Sequence, residues 1–165
     1  MVFQTIEDLK KQIALWKSNG EKVIFTNGVF DILHVGHVDY LEASSQLGNK
    51  LIVGINDDNS VRRLNKGPER PIHDEQARAR VVAGLRSVAA TIIFGEDTPL
   101  ELIKELQPDI LVKGGDYDPN ETDESSKKFM VGSKEVRANG GEVKVIPLTD
   151  GYSTTNAVKK MKGSA

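Results

Sequence analysis

The feature that most constrains this chain is an alternation, sustained from one end to the other, of short apolar runs with longer stretches of helical spacing. The runs are "KVIFTNG" (22–28), "KLIVGIN" (50–56), "TIIF" (91–94), "DILV" (109–112) and "EVKVIPL" (142–148). Each is short, apolar and partly β-branched, which reads as a strand buried on both faces. Helical patterns lie between them, at roughly 37–47, 74–86, 98–106, 133–139 and 154–162. An entry helix precedes them all, with Ile6, Leu9, Ile13 and Trp16 at helical spacing, Thr5 as N-cap, Asp8 three residues on, and Gly20 at the close. In "TPLE", Thr98 can cap, Pro99 suits the first helical position and Glu101 completes a capping box. Strand and helix in strict alternation predict an α/β fold: a Rossmann-like, doubly wound, five-stranded parallel sheet with helices on both faces.

At 165 residues the chain has room for one sizeable core, read as a single domain with an N-terminal helix over 1–20 and a core over 22–162. There are no cysteines, so disulfides, thiolate zinc sites and thiol nucleophiles are excluded. The balance of 22 basic and 24 acidic residues, scattered along the chain, argues against a nucleic-acid partner. No apolar run is long enough to span a bilayer, and "MVFQTIEDLKKQ" does not read as a signal peptide, so no membrane partner and a cytoplasmic location are expected. Two connections are long: 57–73, with Arg62, Arg63, Lys66 and Arg70, and 113–132, which mixes glycines with acids.

Ligands of open α/β sheets bind beyond the carboxyl ends of the strands, where strand order reverses. The turn after the first long run is "TNGVFDILHVGH", and it leads into a predicted helix N-terminus, where free amides favour an anion. Gly36 lets the backbone approach a phosphate, and His34 and His37 add imidazole donors. A bland alternative makes His34 a packed core residue and His37 a helix cap. Zinc fails on counting, because only His73 remains as a third imidazole.

"GVFDILHVGH" closely resembles the Gly-x-Phe-Asp-x-x-His-x-Gly-His signature of the cytidylyltransferase-like nucleotidyltransferases. The resemblance continues through "KGGDY" (113–117) and "DGYSTTNAVKKM" (150–161), which is similar to the family's RTxGxSTT motif. Within the family, "NKGPERPIHDEQARARVVAGLRSV" and "GGEVKVIPLTDGYSTT" look most like the heptose 1-phosphate adenylyltransferases, in a stand-alone form. The resemblance implies transfer of AMP from ATP to a sugar 1-phosphate, giving an ADP-sugar for lipopolysaccharide core, with Mg²⁺ carried on the triphosphate and a homodimeric assembly.

Carried over residue by residue, the resemblance makes His34, His37 and Lys66, which lies where relatives use a mobile-loop lysine, the catalytic groups. Nucleotide binding falls to Asn27, Gly28, Val29, Phe30 and Gly36 in the turn and to Arg78 on a helix. It also falls to Lys113, Gly114 and Asp116 in a nucleoside loop, and to Tyr152, Ser153, Thr154 and Thr155 at the last helix. Asp31 and Arg70 are assigned to the acceptor substrate, and no protein-held metal is implied. Each has a plain alternative: Lys66 and Arg78 as solvated charges, Asp31 as a turn cap, Ser153 as a helix cap.

One departure stands out. CTP-using relatives carry arginine at the start of RTxGxSTT, whereas this chain has Leu148. The triphosphate charge is then left to Lys66, Arg70 or Arg78. Two other patterns lead nowhere. "DYDPNETDESSKK" has Glu121 where a calcium loop needs glycine and Lys127 where it needs glutamate. "KMKGS" lies at the chain end and reads as a frayed helix terminus. The rival readings are a cytidylyltransferase acting on glycerol 3-phosphate and a non-catalytic nucleotide-binding module.

Overall fold

The computed structural model describes residues 1–65, 67–149, 151–161 and 163. Within them the apolar runs become β2 (Val23–Gly28), β3 (Lys50–Asn56), β4 (Ala90–Phe94), β5 (Ile110–Gly114) and β6 (Glu142–Ile146). A sixth strand, β1 (Val2–Phe3), adds to the edge and corrects the expected count of five. It pairs Val2 with Thr91 and Phe3 with Ile92 of β4, and the Thr91 amide donates to the carbonyl of Met1. Two residues are too few to show a period in sequence.

All strand pairs are parallel, and the sheet order is β1-β4-β3-β2-β5-β6. The chain moves outward from β2 to β3 and β4, then crosses back to lay β5 on the other side of β2. Strand order therefore reverses between β2 and β5, and the crevice opens where their carboxyl ends part.

Alternation along each strand sends side chains to two separate cores. Val23, Phe25, Ile52 and Leu111 face α1 (Ile6–Ser18), α5 (Leu100–Leu106) and α6 (Ser133–Ala138), packing with Leu9, Ile13, Leu102, Ile103 and Val136. Ile24, Leu51, Val53, Ile110 and Val112 face the opposite way, toward Tyr40 and Leu41 of α2 (Val35–Ser45) and Ala79 and Val82 of α4 (Glu75–Ala83). Each such large side chain contributes roughly 1.5–3 kcal/mol on burial. Helices cover both faces of the central strands, while β6 forms an edge exposed at Glu142 and Lys144. The polar Asn27, Asn56 and Lys113 gather at the carboxyl ends of the central strands.

The helix termini mostly follow their sequence signals. Thr5 caps α1 by accepting from the Asp8 amide at 3.2 Å, and Asp74 caps α4 by accepting from the Ala77 amide at 2.8 Å. The expected box at 98–101 does not form: α5 starts one residue later, at Leu100, with Pro99 as its cap and no side-chain cap bond. The long connection 57–73 is partly helical, holding α3 (Asp58–Arg63), whose start is capped by Asp57 through the Ser60 amide at 2.6 Å. The last helix is α7 (Thr154–Met161).

Candidate active site

The turn after β2 is built on a close approach. Gly28 ends the strand, and a Cβ there would lie 2.8 Å from the ring of Phe30, which itself adopts a left-handed φ of 49°. Phe30 meets His37 edge-on, with centroids 5.1 Å apart at 60°. His34 is the N-cap residue of α2 without a side-chain cap bond, and its ring stacks on His37 at 3.8 Å and 20°. The Nδ1 atoms of both rings are enclosed without partners, so Nε2 is the nitrogen each ring presents. Gly36 makes the stack possible, since a Cβ there would come within 3.1 Å of His34 Nδ1.

Burial, followed by the neighbouring His34, pulls the pKa of His37 down to about 4, and burial also lowers that of His34. The pair is therefore neutral near pH 7.

Facing these rings across a cavity of about 290 Å³ is the start of α7. Val29, Phe30, Asp31, His34, Gly36 and His37 line one wall. Tyr152, Ser153, Thr154 and Thr155 line the other, with Tyr40, Leu148 and Thr149 between. The Thr154 hydroxyl donates to the Ile32 carbonyl at 3.3 Å, which pins α7 to the turn after β2. Acidic residues sit in the first turns of α1, α3, α4, α5 and α6, but not in those of α2 and α7. Such acids satisfy a helix dipole internally. The two helices that open on the cavity leave that field for a ligand, together with first-turn amides that the helix itself cannot pair.

The charged residues assigned to this site turn inward. Arg70 lines the cavity but donates from Nε to Asp31 at 2.5 Å, and the two are nearly solvent-free. Asp31 also accepts from the amides of Ile72 and His73 at 2.9 and 3.0 Å. Burial pushes its carboxyl up, but the two amides and the Arg70 guanidinium outweigh that and hold it below the usual range. Arg78 is 1% exposed and does not line the cavity; its guanidinium donates to the carbonyls of Val29 and His73 and to Asp58. Lys66 lies outside the described residues.

The loop expected from sequence to bind the nucleoside divides. Gly114 and Asp116 border an open groove that shares Leu148 with the His34–His37 cavity. A Cβ at Gly114 would sit 2.6 Å from Leu148, so glycine is what allows that wall to close. Lys113 instead faces a second cavity of about 330 Å³ at the strand ends, shared with Asn27, Gly28, Val29, Asn56 and Tyr117. Its ammonium donates to Asn27 Oδ1 and lies 6.0 Å from the Tyr117 ring. Burial alone lowers its pKa to about 8. Asp97, in the same cavity, is engaged by Arg63 at 2.6 Å. Asn56 and Tyr117 were not singled out in the sequence. The available signal was that β2 and β3 both run apolar and then turn polar at Asn27 and Asn56, just where a parallel sheet opens to ligand.

A family model described as cytidylyltransferase-like matches residues 25–160, from the middle of β2 through α7. The chain belongs to the cytidylyltransferase-like family. Among its relatives is the bifunctional protein HldE of Histophilus somni, 55% identical over 154 residues that cover 93% of this chain and 30% of that protein. The HldE of Actinobacillus pleuropneumoniae is 52% identical over 158 residues, covering 96% and 31%. The chain thus spans about a third of the length of these relatives.

Of solved structures, the lipopolysaccharide core biosynthesis protein from Thermoplasma volcanium superposes with a TM-score of 0.60 at 31% identity, covering 81% of this chain and 100% of that one. Pantothenate synthetase from Thermus thermophilus, at 15% identity and a TM-score of 0.62, shares the fold. The cytidylyltransferase-like family accounts for a histidine pair at the sheet's reversal point.

Proposed function

We propose that the chain transfers AMP from ATP to a sugar 1-phosphate, D-glycero-D-manno-heptose 1-phosphate, releasing pyrophosphate and ADP-heptose. The observation that carries this reading is the stacked, neutral His34–His37 pair at the acid-free start of α2, opposed across one cavity by the acid-free start of α7. Two helix termini and two imidazole donors converge on a space suited to a phosphate. The likeness of 52–55% to HldE proteins and the lipopolysaccharide core biosynthesis relative support the substrate and its use in that core.

In this reading the α-phosphate of ATP lies between the two helix starts, with the nucleoside running past Leu148 toward Gly114 and Asp116. The acceptor enters the second cavity, where Lys113 meets its phosphate and Asn27 and Asn56 meet its hydroxyls. An ammonium whose hydrogen bond among the described residues goes to an amide oxygen, with no carboxylate against it there, favours an incoming anion. Val29 borders both cavities, so the two substrates meet at the phosphate turn.

An acceptor phosphate oxygen attacks the α-phosphorus in line, the bond to the bridging oxygen breaks, and pyrophosphate leaves. The nucleophile is already anionic, so no general base is required. Catalysis rests on alignment and on the imidazole N–H and amide donors that stabilise charge on the five-coordinate phosphorus. Among the described residues no cluster of three His, Asp or Glu side chains is placed to hold a metal. Mg²⁺ is taken as part of the ATP complex, carried by phosphate oxygens and water. The chain would work as one catalytic domain in the cytoplasm, where ATP is available. No helix among the described residues is long and apolar enough to cross a membrane.

A pyrophosphate-release assay across ATP, CTP, GTP and UTP tests this, run against heptose 1-phosphate, other sugar 1-phosphates and glycerol 3-phosphate. Turnover with ATP and heptose 1-phosphate is expected. Turnover confined to CTP with glycerol 3-phosphate would replace this reading with a cytidylyltransferase, and none with any pair would leave a binding module.

A further inference from the structure

Arg78 is among the largest fully buried side chains of the protein, yet it sits in the first turns of α4, below the phosphate turn. A buried guanidinium persists only where its N–H groups are paired, because stripping water from a cation is costly. Here three segments supply the pairs. Nε donates to the His73 carbonyl at 2.9 Å, one terminal nitrogen to the Val29 carbonyl at 2.7 Å, and the other to the Asp58 carboxylate at 2.8 Å.

These acceptors are not scattered. Val29 immediately precedes Phe30, whose left-handed backbone sets the edge contact on His37. Asp58 begins α3, and its amide donates to Glu75 of α4 at 2.6 Å. His73 closes the connection that starts at α3, and its own amide is held by Asp31 of the phosphate turn. One planar fork therefore fastens both ends of the 58–73 connection, which carries Arg62, Arg63 and Arg70, to the turn that holds the histidines.

We propose that Arg78 is a positioning residue: it does not touch phosphate, but locks the 58–73 connection onto the Val29–Phe30 peptide and so sets the register between that connection and His37. This rests on His37 lying at the reacting phosphate. Lysine cannot replace the fork, because a single ammonium does not span three acceptors in one plane.

The test uses the full chain with Arg78→Lys, Arg78→Gln, Asp58→Asn and the double variant Arg78→Gln with Asp58→Asn. The readouts are kcat, KM for ATP and trypsin cleavage within 58–73. Arg78→Lys is expected to lose about 10²-fold in kcat with KM for ATP little changed, the scale of a remote misplacement of about 1 Å. Asp58→Asn should lose about tenfold, and the double variant should be no worse than Arg78→Gln, because both act through one tie. Asp58→Asn should also expose Arg62 and Arg63 to faster cleavage.

A phosphate-binding arginine gives the opposite pattern. Arg78→Lys would then keep kcat and raise KM for ATP, and Asp58→Asn, by releasing the guanidinium toward the cavity, would leave activity unchanged or higher. Either result overturns the proposal. Should the Arg78 variants fail to fold, Asp58→Asn alone decides. If the wild-type chain shows no turnover with any substrate pair, the functional reading fails separately, and unchanged trypsin cleavage in Asp58→Asn would still overturn the brace.

Discussion

The enclosed imidazole pair makes stability depend on pH in a way that isolates one residue. Burial, with His34 alongside, lowers the pKa of His37 from 6.5 to about 4. The unfolded chain therefore binds the His37 proton as pH falls through about 6.5, while the folded chain resists it until about 4. Stability from this residue is present above the unfolded pKa and is lost as pH falls toward the folded one. Linkage gives a loss of about 0.2 kcal/mol at about pH 7 and about 2 kcal/mol at about pH 5.

His34 shifts in the same direction and adds to the total. Asp31 titrates below this window, because its folded pKa is held under the carboxylate range. Urea denaturation of the wild type and of His37→Gln at the two pH values separates the contribution. The wild type should lose about 2 kcal/mol more than the variant between about pH 7 and about pH 5. Equal losses would mean that the fold does not lower the pKa of His37, and the enclosed-imidazole argument would fail with it.

Two further outcomes follow from the charged groups. Replacing Lys113 with methionine should raise KM for the acceptor about 10–100-fold, the scale of a charge-assisted hydrogen bond, with KM for ATP unchanged in steady-state kinetics; a change in KM for ATP alone would move Lys113 to the nucleotide. Asp31→Asn should destabilise the fold by about 3–5 kcal/mol in denaturant titration, because it leaves Arg70 buried without its counter-charge; a loss under about 1 kcal/mol would show that Arg70 swings out to water.

The interior of this fold was legible because a strand buried on both faces must be apolar throughout, and β2 through β5 are short apolar runs of that kind. β1 was not, since two residues carry no pattern and their pairing to β4 is a tertiary event. α3 was read as loop because its six residues are mostly polar; its signals were Asp57 as cap and Arg62 and Arg63 in the last turn. In the site, the approach of His34, His37 and residues 152–155 follows the motif spacing, since helix starts converge wherever a parallel sheet opens. The directions of the charges did not follow. Sequence shows that Asp31, Arg70 and Arg78 are charged, but whether a guanidinium points at a ligand or at a carbonyl depends on which segments fold over it. The same holds for Lys113 and Gly114, neighbours that β5 sends to opposite sides of the sheet's end.

The central claim is that His37 stabilises the transfer of AMP to a sugar 1-phosphate, and following the α-phosphate tests it most directly. With ATP labelled at the α-phosphorus and heptose 1-phosphate as acceptor, the label should pass to ADP-heptose, leaving unlabelled pyrophosphate. His37→Ala, folded as the wild type, should do so about 10²–10³-fold more slowly. Label transfer at the wild-type rate in His37→Ala, or label that never leaves ATP in the wild type, would contradict the account.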